Sequence, residues 1–310
     1  MTTAIIFPGQ GSQSQQMLSE MAAQFSIVKQ RFDEASEVIG KDLWQIVQEN
    51  NNAELNQTAI TQPVLLAAGI ACFDILKAET DINPVFMAGH SLGEYTALCA
   101  AQAISFAEAI DLVHQRGELM QEAVPYGEGS MAAILGLEDQ DVIEICAMVD
   151  ETVQAANFNA PGQVVIAGTV AGVAAAIESA KKHGAKRAIE LPVSIPSHCS
   201  LMKGAAAKLS LSLDHAHWKM PNTTIIHNVD GQERHNVDGI KSALGAQLYK
   251  PVQWVKCIDK LVAEGVTYCV EAGPGKVLTG LNKRINKELK TTAFDQPSAL
   301  PVIIETLESV

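Results

Sequence analysis

The sequence predicts an α/β protein with a mainly parallel sheet and a small subdomain inserted into it. Three observations carry this. Short β-rich apolar runs at 3–7, 84–88, 223–229 and 266–272 each lie beside a glycine-containing turn, with helical patterns between them. Strands alternating in this way with helices imply parallel pairing. Between about 125 and 195 the rhythm changes to strand, helix, strand, strand, helix, strand, the ferredoxin-like arrangement that closes its own small core. Finally, 310 residues with 47% hydrophobic and 18% charged content supply core for roughly two domains and exclude a disordered chain.

The elements follow in order. TAIIF (3–7) is a short buried strand that runs into the glycine-rich turn PGQGSQ, after which Met17, Met21 and Phe25 recur at helical spacing. PVFMA (84–88) is a strand followed at once by GHSLGEYTALCAAQA, whose alanines and leucines favour helix. ISFAEAIDLVHQRGELMQEAV is helical, with Phe106, Ile110, Leu112 and Val113 on its apolar side. In the insertion, SMAAILG (130–136), TVQAANFN (152–159), QVVIAG (163–168) and KRAIELPV (186–193) read as strands. EDQDVIEICAMV (138–149) and VAGVAAAIESAKKHG (170–184) read as helices, the second ended by Gly184. A helix then carries Leu201, Ala205, Leu209 and Leu213, and TTIIHNV and VTYCVEA return to the sheet. The parent domain is thus expected over 1–124 and 196–310, and the insertion over 125–195. No repeat or long linker separates them, so close contact is expected.

Twenty-two basic against 35 acidic residues leave a net charge of −13, which argues against a broad nucleic-acid or anionic-membrane surface while leaving room for a local basic patch. Cys72, Cys99, Cys146, Cys199, Cys257 and Cys269 show no Cys-x-x-Cys spacing, and reduced buried thiols are expected. The start MTTAIIFPGQ lacks a signal-like pattern. The longest strongly apolar run, VLLAAGIACF (64–73), stops at Asp74, short of the roughly 18 residues of a membrane span. A soluble cytoplasmic protein is expected.

The strongest chemical signal is Gly89-His90-Ser91-Leu92-Gly93, a G-x-S-x-G after a strand and before a helix. A sharp strand-to-helix turn leaves no room for side chains beside the serine, and the helix N-terminus offers oriented N–H groups to an oxyanion. Ser91 is therefore the candidate nucleophile, with a structural turn as the alternative. A serine needs a base. His90 adjoins Ser91, but successive side chains diverge through such a turn, which suits a pocket wall better. His215 and His217 form His-x-His without a third ligand nearby, the pattern of a surface turn and not of a metal site. His114, His183, His227 and His235 stand in no motif and read as ordinary partly buried or exposed histidines. His198 follows Pro196 just before a helix, anchored and free to point out of the fold, as a base or equally as a capping or packing residue. No aspartate stands in a recognisable relation to it, so a backbone or amide oxygen would have to orient its ring. Arg116 is either a solvated surface residue, the usual fate of a lone helix arginine, or, if turned inward, a bidentate carboxylate binder. The loop Pro8-Gly9-Gln10-Gly11-Ser12-Gln13 is a structural turn or a phosphate cradle. It lacks the Lys-Ser/Thr ending of a P-loop and the full G-x-G-x-x-G, so nucleotide hydrolysis and dinucleotide binding are excluded.

Taken together, FPGQGSQ (7–13), TQPVLLAAG (61–69), GHSLGEYTAL (89–98), QRGELMQEA (115–123), NFNAPGQVVIAG (157–168), VSIPSHCSLM (193–202), QLYKPVQW (247–254) and EAGPGKVLTGL (271–281) carry a resemblance over almost the whole chain. The chain resembles the malonyl-CoA:acyl-carrier-protein transacylases of bacterial fatty-acid synthesis. The resemblance implies an α/β-hydrolase-like domain with a ferredoxin-like insertion and the site in the cleft between them. It implies that Ser91 is the acylated nucleophile, His198 the general base and acid, and Arg116 the cation that holds the free malonyl carboxylate. It further implies an oxyanion hole from the N–H groups of Gln10 and Leu92, and a Gln247 oxygen that orients His198.

The activity so implied is ping-pong transfer of malonyl from malonyl-CoA to the phosphopantetheine thiol of acyl carrier protein, with no cofactor and no metal, by a cytoplasmic monomer. An acetyl group would leave the guanidinium unpaired, so malonyl is preferred. Ser197 is a departure: related polyketide acyltransferases often have Phe before the histidine for malonyl and Ser for methylmalonyl. Acyl carrier proteins are acidic, so docking on this acidic chain needs a positive patch. Lys283, Arg284, Lys287 and Lys290, with Lys181, Lys182, Lys186 and Arg187 in the insertion, are the candidates, or else two solvated helix faces. The rival readings are a serine esterase or thioesterase, with water replacing the carrier thiol, and an idle acyl-binding subunit of a larger synthase.

Overall fold

A computed structural model describes residues 1–49, 53–193 and 195–309. The chain opens with β1 (Thr3–Phe7) and passes through α1 (Ser19–Gln24), α2 (Ile27–Ile39) and α3 (Leu43–Glu49) into the long α4 (Thr58–Glu79). β2 (Phe86–Gly89) turns sharply into α5 (Gly93–Ala100), and α6 (Phe106–Glu122) follows. The inserted unit comprises β3 (Gly129–Leu135), α7 (Asp139–Ala147), β4 (Val153–Ala160), β5 (Gln163–Thr169), α8 (Val170–Lys182) and β6 (Arg187–Glu190). A 3-10 turn at Ser200–Met202 leads into α9 (Lys203–His215), β7 (Thr224–Ile226), α10 (Val237–Gln247) and α11 (Trp254–Ala263). β8 (Tyr268–Ala272), α12 (Val277–Ile285), β9 (Lys290–Phe294) and α13 (Ala299–Glu308) complete the chain.

The main sheet runs β7-β2-β1-β8-β9 with every neighbouring pair parallel. β1, β2 and β8 are buried along their whole length, which explains their mainly apolar sequences, while β9 at the edge is only partly buried. Side chains alternate across the pleat. Ile5, Phe7, Met87 and Val270 face a large helical layer that includes α2, α4 and α6, while Ala4, Ile6, Ala88 and Ile226 face Trp254, Ile258 and Leu261 of α11 and Leu278 and Leu281 of α12.

The second sheet is antiparallel, in the order β4-β5-β3-β6. That is the strand order of a ferredoxin-like βαββαβ unit, as the sequence pattern predicts. One face packs on α7 and α8 through Ile134, Phe158, Val164, Ile166, Val142, Ile145, Val173 and Ala176. The other, through Met131, Ala156, Val165 and Ala167, packs on Cys199, one residue beyond His198. Backbone bonds stitch the units together, with Phe158 N–H donating to Val252 O and Val252 N–H to Ala156 O, each at 2.9 Å. All six cysteines are free and buried.

The sequence pattern misses several features. The first helix begins at Ser19, not at Met17, because Gln16 and Leu18 adopt positive φ (60° and 59°) and hold Met17 in a buried turn. Lys290 lies in β9 and not on the helix of Lys283 and Arg284; Asn286 ends that helix, with extended backbone. The largest difference is α4, 22 residues where the apolar run covers ten. It is long and apolar enough to cross a membrane, but 83% of its most apolar window is buried inside the protein. Its first turns escape an apolar count because they contain Thr61, Gln62 and Pro63, all buried. Pro63 has no N–H to give Ala59 O, the acceptor four residues back. His114 of α6 takes that place, its Nδ1–H donating to Ala59 O at 2.7 Å. Gly117 completes the close approach, since a Cβ there would lie 2.6 Å from Ala59 Cα. α6 is thereby pressed onto α4, which turns Arg116 inward.

Candidate active site

The turn after β2 is built by its glycines. A Cβ at Gly89 would overlap the carbonyl of Gly93, and one at Gly93 would overlap the carbonyl of Phe7 at the end of β1. Between them Ser91 is held at φ 52°, a left-handed conformation that a non-glycine residue keeps only when its surroundings enforce it. Asn228, just beyond β7, supplies the enforcement. Its Nδ2–H donates to Gly89 O and its Oδ1 accepts from Ser91 N–H, both at 2.7 Å. Parallel pairing of β1, β2 and β7 brings the loops after all three to one edge of the sheet, the usual place for a site in such folds.

Ser91 Oγ–H donates to His198 Nε2 at 2.8 Å. His198 is 3% exposed and itself at φ 63°. The C-terminal end of α10 holds it at two points. Its backbone N–H donates to Leu248 O at 2.9 Å and its ring Nδ1–H to the main-chain oxygen of Gln247 at 2.7 Å. Carbonyls in the last turn of a helix have no partner within the helix, and they favour positive charge nearby. Because a carbonyl only accepts, Nδ1 must carry the proton, which leaves the lone pair on Nε2 facing Ser91. The missing acid is thus replaced by a backbone oxygen. Burial, then the nearby Arg116 charge, push the His198 pKa down to about 3, so the ring is a neutral base at rest.

Arg116 is 1% exposed, against the usual surface fate of a helix arginine. Its Nη1 donates to Gln62 Oε1 at 2.7 Å, and its Nη2 to Gln247 Oε1 at 3.0 Å and to Ser91 Oγ at 3.3 Å. Its Cζ lies 5.4 Å from the Tyr95 ring centroid. Nε has no partner, and among the described residues no carboxylate comes within ion-pair distance of the guanidinium. Burial lowers its pKa, yet a guanidinium keeps its proton throughout the range of life. This is a buried cation beside the Ser91 hydroxyl, held in place by neutral amide oxygens.

Two backbone donors complete the geometry. In the turn, Gly93 N–H bonds His90 O and Glu94 N–H bonds Ser91 O, but Leu92 N–H reaches no acceptor among the described residues. In the facing loop, Ser12 N–H bonds Gly9 O and Gly11 N–H bonds Gln13 Oε1, while Gln10 N–H is likewise unspent. Gly9 lets this loop lie against the turn, for a Cβ there would overlap His90 O. The Gln10 side chain anchors the loop, Nε2–H donating to Thr58 Oγ1 at 3.2 Å.

His90 points away from the Ser91–His198 pair and joins Asn159 of β4, Nε2 to Oδ1 at 2.8 Å, tying the turn to the inserted unit. His217 pairs with Glu108, and among the described residues no group of three side chains could hold a metal ion. Sequence reasoning missed His227, Glu94 and Asn228. His227, read as an ordinary histidine, is fully buried against Glu94, Nδ1 to Oε1 at 2.7 Å. The available signal was position: Asn228 lies just beyond the end of β7 in the parallel sheet, and Glu94 directly follows the G-x-S-x-G. The basic candidates lie apart from this centre. Lys283, Arg284 and Lys287 are exposed, and Arg284 bonds Gln163 Oε1 across the boundary with the inserted unit. Lys181, Lys182, Lys186 and Arg187 are exposed on that unit, with Lys181 paired to Glu178.

A parallel α/β sheet with a serine at a strained turn, a neutral histidine on its hydroxyl and two free N–H groups opposite define an acyl-transferring class of protein. The chain belongs to the acyl transferase domain family, which matches residues 4–297. Within it, the chain is 49% identical over 304 residues to the malonyl CoA-acyl carrier protein transacylase of Escherichia coli (strain K12), covering 97% of this chain and 98% of that one. It is 49% identical to the solved acyl carrier protein S-malonyltransferase from Vibrio cholerae, at a TM-score of 0.95 over 98% of this chain and all of that one. A malonyl-transacylase solved in complex with its type II PKS acyl-carrier protein is 45% identical at a TM-score of 0.97, over 99% of this chain and all of that one. The family read from the motifs and the fold class read from the sequence agree with these relatives.

Proposed function

We propose that this protein moves a malonyl group from malonyl-CoA to the phosphopantetheine thiol of acyl carrier protein through a malonyl ester of Ser91, supplying extender units for fatty-acid synthesis in the cytoplasm as a monomer. The observation that carries the substrate is Arg116. Its charge lies out of solvent, without a carboxylate, 3.3 Å from Ser91 Oγ. A free acyl carboxylate is the ligand that completes it, by the planar bidentate match of guanidinium and carboxylate. Ser91 Oγ attacks the thioester carbonyl while His198 Nε2 takes its proton, and the N–H groups of Gln10 and Leu92 receive the oxyanion. The imidazolium that forms is stabilised by Gln247 O at the end of α10. CoA leaves as the thiol with that proton, and the carrier thiol repeats the sequence in reverse. Lys283 and Lys287, with Arg284, are offered as the carrier's docking residues, and no bound cofactor is needed for any step.

The test is the intact mass of the protein after brief mixing with malonyl-CoA. A malonyl adduct discharged by holo acyl carrier protein supports the transacylase. Free malonate accumulating without an adduct supports a hydrolase instead, and no reaction at all supports an idle binding subunit.

A pH profile tests the base. The folded His198 pKa of about 3 lies below the ordinary value near 6.5, so the base stays unprotonated between the two. Acylation measured as kcat/KM for malonyl-CoA is expected to stay level from pH 8 to 5, and an acid limb near 6.5 would show that burial and Arg116 do not depress the ring's pKa. The linked stability has the opposite appearance. Between the two pKa values the unfolded chain binds a proton that the folded one does not, so this contribution is complete above pH 6.5 and is lost as pH falls toward 3.

A further inference from the structure

Glu94 is a fully buried carboxylate in the first turn of α5, and the steps above do not use it. Three donors converge on it: His227 Nδ1–H at 2.7 Å, Asn228 N–H at 2.9 Å and Gln247 Nε2–H at 2.9 Å. An ionised carboxylate accepts and never donates, whereas a glutamine amide has one end of each kind. With Nε2 of Gln247 committed to Glu94 Oε2, and to Ser91 O at 3.0 Å, its Oε1 is turned the other way. There it accepts from Arg116 Nη2 at 3.0 Å. The reversed amide would set NH2 against guanidinium and oxygen against carboxylate, two repulsive contacts in a buried network. The charge of Glu94 also favours the charged form of Arg116 across this bridge. The carboxylate is therefore placed to set the direction of the amide, and the amide the aim of the guanidinium.

We propose that Glu94 is a positioning residue for acyl specificity: by accepting from Gln247 Nε2 it fixes the amide whose oxygen aims Arg116 at the carboxylate of the acyl group. The proposal rests on the transacylase reading above. It distinguishes two consequences of removing the charge. Ser91, His198 and the turn serve every acyl group alike, but the aim of Arg116 matters only to one that carries a carboxylate.

The experiment compares the rates at which malonyl-CoA and acetyl-CoA acylate Ser91 in wild type and in Glu94→Gln, which keeps the size of the side chain and loses its acceptor-only character. The malonyl-to-acetyl ratio is expected to fall at least about tenfold, with the acetyl rate within about threefold of wild type. Equal losses for both substrates, or an unchanged ratio, would show that Glu94 merely braces the turn and would overturn the proposal. Glu94→Asp, shorter but still a pure acceptor, is expected to hold the ratio within about threefold even where both rates drop. A ratio that collapses in Asp and survives in Gln would make size, not charge, the determinant and also overturns it. Should the Gln variant not fold, the amide is read directly in wild type labelled with 15N-glutamine. A proton contact from Gln247 Nε2 to the Asn228 amide supports the proposal, and one to the Arg116 guanidinium rejects it. A wild type that forms no malonyl adduct rejects the transacylase reading itself, an outcome visible before any variant is made.

Discussion

Ser91→Ala is expected to abolish the malonyl adduct and to lower transfer by about 10⁴-fold or more, while melting within a few degrees of wild type. The chemical half follows from the loss of the hydroxyl placed on His198 Nε2, a loss that in comparable serine enzymes removes nearly the whole contribution of the catalytic group. The structural half follows from how the turn is held. Ser91 is fixed through its main chain, with N–H on Asn228 Oδ1 and its carbonyl on Gln247 Nε2. Alanine keeps both bonds and meets the same left-handed backbone strain as serine, since each carries a Cβ. Intact mass and a thermal melt check both halves. An adduct that persists in the alanine variant would place the nucleophile elsewhere.

Arg116→Ala reverses the choice of acyl group. Malonyl transfer is expected to fall by about 10³-fold, because the variant leaves the acyl carboxylate in a buried site with no cation. Acetyl transfer is expected to hold or rise, since acetyl never pairs with the guanidinium. The substitution also leaves Gln62 Oε1 and Gln247 Oε1 without their donor, so a drop in stability of about 1–3 kcal/mol accompanies it unless water enters. Parallel acylation assays with the two CoA esters check the reversal. Arg116→Lys restores the charge without the fork and is expected to recover part of the malonyl rate only. Equal losses for both esters in the alanine variant would mean that Arg116 supports the turn rather than reads the substrate.

How far these roles were legible in the sequence depended on whether their cause was local. Ser91 could be read as a candidate because the constraint that holds it, two glycines around a strand-to-helix turn, is written within five residues. The inserted unit was legible for the same reason: each of its strands and helices has its own period and its own turn. The sequence shows no acid in a recognisable relation to His198, and the oxygen that its Nδ1–H meets belongs to the main chain of Gln247, a backbone atom with no sequence signature. Arg116 was ambiguous because its own helix looks amphipathic and ordinary; only Gly117 against Ala59, a contact across 58 positions, turns it inward. α1, α2 and α3 went largely unread, since their short apolar stripes become definite only against α4. Glu94, His227 and Asn228 were silent for a similar reason. Each is a common polar residue whose meaning comes from the other two.

The contact between α4 and α6 carries a consequence for how this chain can change over time. Pro63 has no N–H to give to Ala59 O, and that carbonyl is satisfied instead by the His114 ring. An N–H restored at 63 would compete for Ala59 O and cast His114 loose; a side chain at 114 unable to donate would strand that oxygen in the core. A substitution at either position therefore acts on the other's partner, and because Arg116 is only two residues from His114 on the same helix, its effect would reach the guanidinium that lies 3.3 Å from Ser91 Oγ.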